Sequence, residues 1–129
     1  MVAITTINAE GAPAAAASYS HAVKTATGLI YVSGQVPLTP ENKLVEGSIS
    51  DKAEQVITNI RTVLKASNSD LNKIVKVNIF LADIKSFAEF NSVYAKYFSV
   101  HKPARSCVAV AALPLGADLE MEVVAVEND

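Results

Sequence analysis

Hydrophobic and polar positions along this chain follow two rhythms. From about Ser50 to Ser67, residues Ala53, Val56, Ile57, Ile60, Val63 and Leu64 recur at three- and four-residue steps, the apolar face of an amphipathic helix. Ser48 with Asp51 three residues on supplies an acidic version of a capping box. A second helix is predicted from about Phe87 to Phe98, with Phe87, Phe90, Val93, Tyr94, Tyr97 and Phe98 as its stripe and Ser86 and Glu89 as its cap signature. Elsewhere the period is two. Ile74 to Asp83 sets Val75, Val77, Ile79 and Leu81 on one face and Lys76, Asn78 and Phe80 on the other. Strands are also predicted over about Ser18 to Lys24, Leu29 to Gly34, Arg105 to Ala111 and Leu119 to Val126, the first two joined by a turn at Thr25 to Gly28. Gly11-Ala12-Pro13 followed by Ala14 to Ala17 reads as an ordered lead-in arm, in which Pro13 and the short length disfavour a helix.

The order strand, strand, helix, strand, helix, strand, strand mixes hairpin and crossover connections. It predicts an α+β fold, a mixed β-sheet with two helices packed on one face. The opposite face would carry Ala109, Val124 and Val126 among the polar Arg105, Glu120 and Glu122. A lone chain would leave that face wet, so a symmetric oligomer closing over it is expected.

Composition narrows the class. The chain has 129 residues, enough for one domain with its own core. Half of them are hydrophobic, a high share for a small domain and a hint of further buried surface. A formal charge of −2 argues against a nucleic-acid footprint. One cysteine excludes an internal disulfide and any site of several thiolates, and fits a reducing compartment. His21 and His101 lie far apart without metal-ligand spacing, so no metal is expected. The apolar runs fall short of a membrane span, and the first ten residues carry neither a signal peptide's core nor a transit peptide's arginines. The expected setting is cytoplasmic, with the mitochondrial matrix as the alternative if a presequence has been removed.

Chemistry concentrates in Pro103-Ala104-Arg105-Ser106-Cys107-Val108-Ala109-Val110, where a permanent cation sits two residues from the only cysteine in a strand-like run. An arginine on an apolar strand either pairs with a carboxylate of its own chain or awaits an anion. In Leu119-Glu120-Met121-Glu122-Val123-Val124-Ala125 the odd positions are apolar, so Glu120 and Glu122 face away from the core, either as solvated carboxylates or as partners for Arg105. A simple hairpin through Leu113 to Ala117 would set Arg105 opposite residue 125, about 16 Å from Glu120 at about 3.3 Å per residue. That exceeds the reach of one small substrate. Either the two strands are not neighbours in that register or the side chains meet across a subunit boundary, and the boundary is favoured.

Cys107 has no histidine near it in sequence and reads as a small buried hydrophobe whose backbone amide matters more than its sulfur. His21 and His101 read as surface or structural rather than catalytic, Asn91 as a hydrogen-bonding residue at the edge of the second helix's stripe, and Tyr19 as strand material. Gly34, in Ser33-Gly34-Gln35, stands where a strand end lets backbone approach a ligand. Phosphate-binding glycine loops and the G-x-S-x-G elbow are missing from the sequence.

Tyr19, Ser33-Gly34-Gln35-Val36-Pro37, Val75-Lys76-Val77-Asn78-Ile79-Phe80-Leu81, Phe90-Asn91, Pro103-Ala104-Arg105-Ser106-Cys107-Val108 and Leu119-Glu120-Met121-Glu122 together resemble the Rid family, the YjgF-type reactive-intermediate imine deaminases. The likeness runs from about Ala14 to Val126 and is greatest to fungal members with deaminase activity. It implies a chorismate-mutase-like fold whose sheets form a trimeric barrel, a homotrimer with inter-subunit clefts and no cofactor. The implied reaction hydrolyses 2-iminopropanoate and 2-iminobutanoate, which pyridoxal-phosphate enzymes release, to 2-keto acids and ammonia. In that scheme Arg105 holds the substrate carboxylate and Glu120 handles the attacking water. Tyr19, Ser33, Gly34, Asn91 and the backbone of Cys107 complete the substrate site. A trimer that binds 2-keto acids or amino acids without turnover is the alternative. Ribonuclease action, also associated with the family, is disfavoured by the acidic balance.

Overall fold

The computed structural model describes residues 3–129. Six strands, β1 (Ile4–Ile7), β2 (Ala22–Thr25), β3 (Leu29–Gln35), β4 (Ile74–Leu81), β5 (Ala104–Ala109) and β6 (Leu119–Val126), accompany two helices, α1 (Ile49–Ala66) and α2 (Phe87–Tyr97). The sheet runs β1-β2-β3-β6-β4-β5, antiparallel except for the parallel pair β4–β5 that α2 bridges. The α+β class and the mixed sheet are those the pattern predicts.

The stripe predicted for α1 is the face it buries. Ala53, Val56, Ile57, Ile60, Val63 and Leu64 join Phe90, Val93 and Tyr94 of α2 and the inward residues of β3, β4 and β6 in one core. Both helices therefore lie on the same side of the sheet. Ser48 caps α1 as expected: its Oγ accepts from the Asp51 amide, and the Asp51 carboxylate accepts from the Ser48 amide. The matching signature at α2 does not form a cap. Ser86 ends a 3₁₀ turn, Ile84–Ser86, that runs straight into the helix, so its φ and ψ of −77° and −8° are already helical. Glu89 instead accepts from the amide and hydroxyl of Ser50, at 2.8 and 3.0 Å, tying the start of α2 to the start of α1.

Other expectations are corrected. β1 shows no periodicity that sequence could betray, since Ile4, Thr5 and Thr6 are all exposed on an edge strand. β2 begins at Ala22, because residues 18–21 bend to serve β3: the Ser33 amide donates to the His21 carbonyl and the Ser33 hydroxyl to that of Ser20. Val75, predicted inward, is exposed because the β4–β6 register shifts between Ile74 and Lys76.

Of the two alternatives left open for Arg105 and Glu120, the first holds within the chain: β5 and β6 are not neighbours and form no hairpin. β4 lies between them, its Val77, Ile79 and Leu81 fully or nearly fully buried as suits a central strand. The parallel register pairs Arg105 with Val77, Cys107 with Ile79 and Ala109 with Leu81. Arg105 and Ala109 therefore belong to the helix side, not to the open face where they were expected. Glu120, Glu122, Val124 and Val126 do lie on that face, as expected, joined there by Tyr31, Phe80 and Val108, with Tyr31 49% and Val108 48% exposed.

Candidate active site

The structure sorts the sequence-predicted residues into two places. On the helix side, Arg105 lies on edge strand β5 beneath α2. Its Nη1 donates to Asn91 Oδ1 at 2.6 Å, and its guanidinium carbon lies 4.8 Å from the Tyr94 ring centroid and 5.6 Å from that of Phe87. No carboxylate among the described residues forms an ion pair with Arg105. The internal salt bridge, one of two readings of this arginine, is absent. A recess of about 290 Å³ beside it is lined by Asn91, Tyr94, Lys102, Pro103 and Arg105.

Cys107 shares that side and packs half-buried against the core. Burial pushes its thiol pKa up, and the positive charge of Arg105 only partly opposes this. A raised thiol is a poor nucleophile at neutral pH. Burial likewise raises the Tyr94 phenol against the pull of Arg105.

On the open side, Glu120 enters a cavity of about 660 Å³ together with Tyr19, Ser33 and Gly34. The rest of its wall is largely apolar, from Ala14 and Ala17 of the lead-in arm to Leu115 of the β5–β6 loop. Leu115 holds a left-handed φ of 60°, strained for a branched residue, and is 66% exposed at this wall. Glu120 sits directly over Gly34, where a Cβ would stand 2.3 Å from Oε1. Burial, then the neighbouring Glu122 charge, raises the Glu120 carboxyl above the usual carboxylate range. Such a group can hold a proton for a developing amine or accept one from water.

The two groups are separated. Glu120 pairs with Phe80 and Arg105 with Val77, three residues apart along β4 and on its two flanking strands. Strand spacing of about 4.8 Å and a rise of about 3.3 Å per residue put the backbones about 14 Å apart. Their side chains leave opposite faces of the sheet.

Both histidines are structural, one of the two roles read from sequence. His21 is 3% exposed; the Ala9 amide donates to Nδ1 at 2.9 Å, and Nε2 donates to the Pro13 carbonyl at 2.7 Å. These bonds hold down the arm that walls the Glu120 cavity. His101 Nε2 donates to the Ile74 carbonyl at 2.6 Å. Among the described residues no three His, Cys, Asp or Glu side chains gather as a metal set, and no helix is long and apolar enough to cross a membrane. Sequence reasoning missed Phe87 and Tyr94 as neighbours of Arg105. Their spacing from Asn91, four and three residues, was the available signal.

The family described as Endoribonuclease L-PSP matches residues 9–127, nearly the whole chain. The chain belongs to this L-PSP/YjgF family. Protein HMF1 of Saccharomyces cerevisiae is 72% identical over 126 residues, which cover 98% of this chain and 97% of that protein. Protein MMF1, mitochondrial, of the same yeast is 64% identical over 98% of this chain and 86% of its own length. A crystal structure of yeast Mmf1 matches with a TM-score of 0.95 over 98% of this chain and 100% of that one, at 64% identity. Reactive Intermediate Deaminase A, chloroplastic, of Arabidopsis thaliana is 47% identical over 92% of this chain and 64% of that protein. The Rid-family resemblance of the motifs is thereby borne out, and with it the fold class.

Proposed function

We propose that the protein is a deaminase of reactive 2-imino acids, hydrolysing 2-iminopropanoate and 2-iminobutanoate to 2-keto acids and ammonia without a cofactor. The observation that carries this reading is a part-buried guanidinium held by an amide and aromatic rings, with no carboxylate of the described residues paired to it. Its free donors suit a substrate carboxylate. The plant relative named a reactive intermediate deaminase supports the reaction class, and the yeast relative named mitochondrial supports a mitochondrial setting.

Arg105 binds the carboxylate and Glu120 orients the water that adds to the imine carbon. Glu120 takes a proton from that water and returns it to nitrogen. Glu120 then takes the hydroxyl proton of the carbinolamine and passes it to nitrogen, so that the C–N bond breaks, ammonia leaves and the keto group remains. Tyr19, Ser33 and Gly34 shape the Glu120 side; Asn91 and the Cys107 amide shape the Arg105 side. One chain cannot bring these sides together, so the site forms between chains of a homotrimer, with Arg105 from one and Glu120 from its neighbour. The uncovered sheet face, with Tyr31 and Val108 among polar residues, supports such closure.

The test couples a pyridoxal-phosphate dehydratase to the purified protein and follows 2-keto acid release against the spontaneous rate. Wild type is expected to accelerate release and Arg105→Ala to abolish the acceleration with the assembly intact. An Arg105→Ala rate equal to wild type overturns the carboxylate anchor. No acceleration by wild type overturns turnover and leaves a small-metabolite-binding trimer.

A further inference from the structure

Phe87, Asn91 and Tyr94 stand at i, i+4 and i+7 of α2, a single stripe of the helix. The Arg105 guanidinium lies along this stripe, over both rings and bonded to the amide that stands between them in the sequence. Tyr94 is itself fixed, its ring stacked on Phe98 at 4.5 Å and tilted against Phe90 at 5.9 Å. A guanidinium drawn to ring faces keeps its in-plane N–H groups available, and of its five donors Asn91 engages one. An arginine that rotates freely must lose that freedom when it closes on a ligand; this one has lost much of it on folding.

We propose that Phe87 and Tyr94 are positioning residues, holding the Arg105 guanidinium along their rings so that its remaining donors meet the substrate carboxylate in a preset plane. This rests on the reading of Arg105 as the carboxylate anchor. The Tyr94 hydroxyl points to the ring as the working part: it is buried without a hydrogen-bond partner among the described residues, in a side chain only 7% exposed. An unpartnered hydroxyl adds nothing to the fold, so phenylalanine should serve equally at this position.

The experiment compares Phe87→Leu, Tyr94→Leu, Tyr94→Phe and Arg105→Ala in imine hydrolysis, and follows the Arg105 Nε–H resonance by NMR in the unliganded protein. Each leucine variant is expected to raise KM roughly 3- to 30-fold with kcat within about twofold of wild type. Tyr94→Phe is expected to keep the wild-type KM. Ring currents shift the Nε proton upfield; that shift is expected to shrink in Tyr94→Leu and persist in Tyr94→Phe. A purely structural role would lower the melting temperature of the leucine variants yet leave KM of the folded protein and the Arg105 resonance unchanged, and that result overturns the proposal. Should Tyr94→Leu fail to fold, Phe87→Leu, at a half-buried ring, carries the test on the same two readouts. If Arg105→Ala turns over like wild type, the anchor reading itself fails. If Arg105→Ala is inactive while both leucine variants keep wild-type KM and resonance, only the positioning role fails.

Discussion

The Glu120 carboxylate rests on bare backbone at Gly34, where even a methyl group would stand 2.3 Å from its Oε1. Gly34 has no unusual φ to justify a glycine, so space alone requires it. Gly34→Ala is expected to displace the carboxylate while leaving the melting temperature nearly unchanged, because the obstructing atoms end a movable side chain. Imine turnover should fall by about 10²-fold. Steady-state kinetics beside a thermal melt checks both halves of this expectation.

Glu120 also sets a pH dependence. Its pKa is raised on folding, mainly by burial, so the folded chain binds its proton more tightly than the unfolded chain. Between the unfolded and folded values the native state holds more protons, and stability falls as pH rises through that window. Glu120→Gln removes the buried charge. It is expected to raise the melting temperature at pH 7 to 8, with a smaller gain near pH 4, and to abolish turnover. Thermal melts of both proteins across that range give the answer.

Arg105→Lys keeps the charge and discards the fork that bonds Asn91 and lies over Tyr94. The resulting KM is expected to rise about 10- to 100-fold, as for loss of a charge-assisted hydrogen bond. Substrate titration of the coupled assay measures it. A lysine variant with wild-type KM would show that charge alone suffices.

Cys107→Ala deletes a thiol that burial keeps protonated. Turnover is expected to stay within about threefold of wild type, since the proposed contribution at this position is a backbone amide. Alkylation of the wild-type thiol at pH 7 should be slow, as mass spectrometry over a time course would show.

His21→Ala leaves the Ala9 amide and the Pro13 carbonyl without their imidazole partner. Chemical denaturation should report a loss of about 2–6 kcal/mol for two such groups. Hydrogen exchange should rise first at Ala9, before the sheet opens.

The helices and the inward sides of the central strands were legible because repeated burial writes a period into sequence. Ala53 to Leu64 and Leu119 to Ala125 need no partner information to be read. Strand order was not legible. The alternation of β5 and β6 is the same whether they touch or lie on either side of β4, and that choice decides which face Arg105 occupies. Glu89 was misread because a carboxylate three residues after a serine can cap its own helix or reach Ser50 of another. The site residues were visible as types, through one arginine in an apolar run and one glycine at a strand end. Their division between two faces came only from register.

On the proposed assembly, the placement of Arg105 and Glu120 on opposite faces has a genetic consequence. Damaging substitutions fall into two complementation groups, one around Arg105 and Asn91, the other around Glu120, Gly34 and Tyr19. Chains carrying Arg105→Ala and chains carrying Glu120→Gln are each inactive alone. Co-expressed in equal amounts and mixed at random, they would restore about one cleft in four, each taking its intact half from a different parent. Two alleles that each fail in isolation would then restore turnover together.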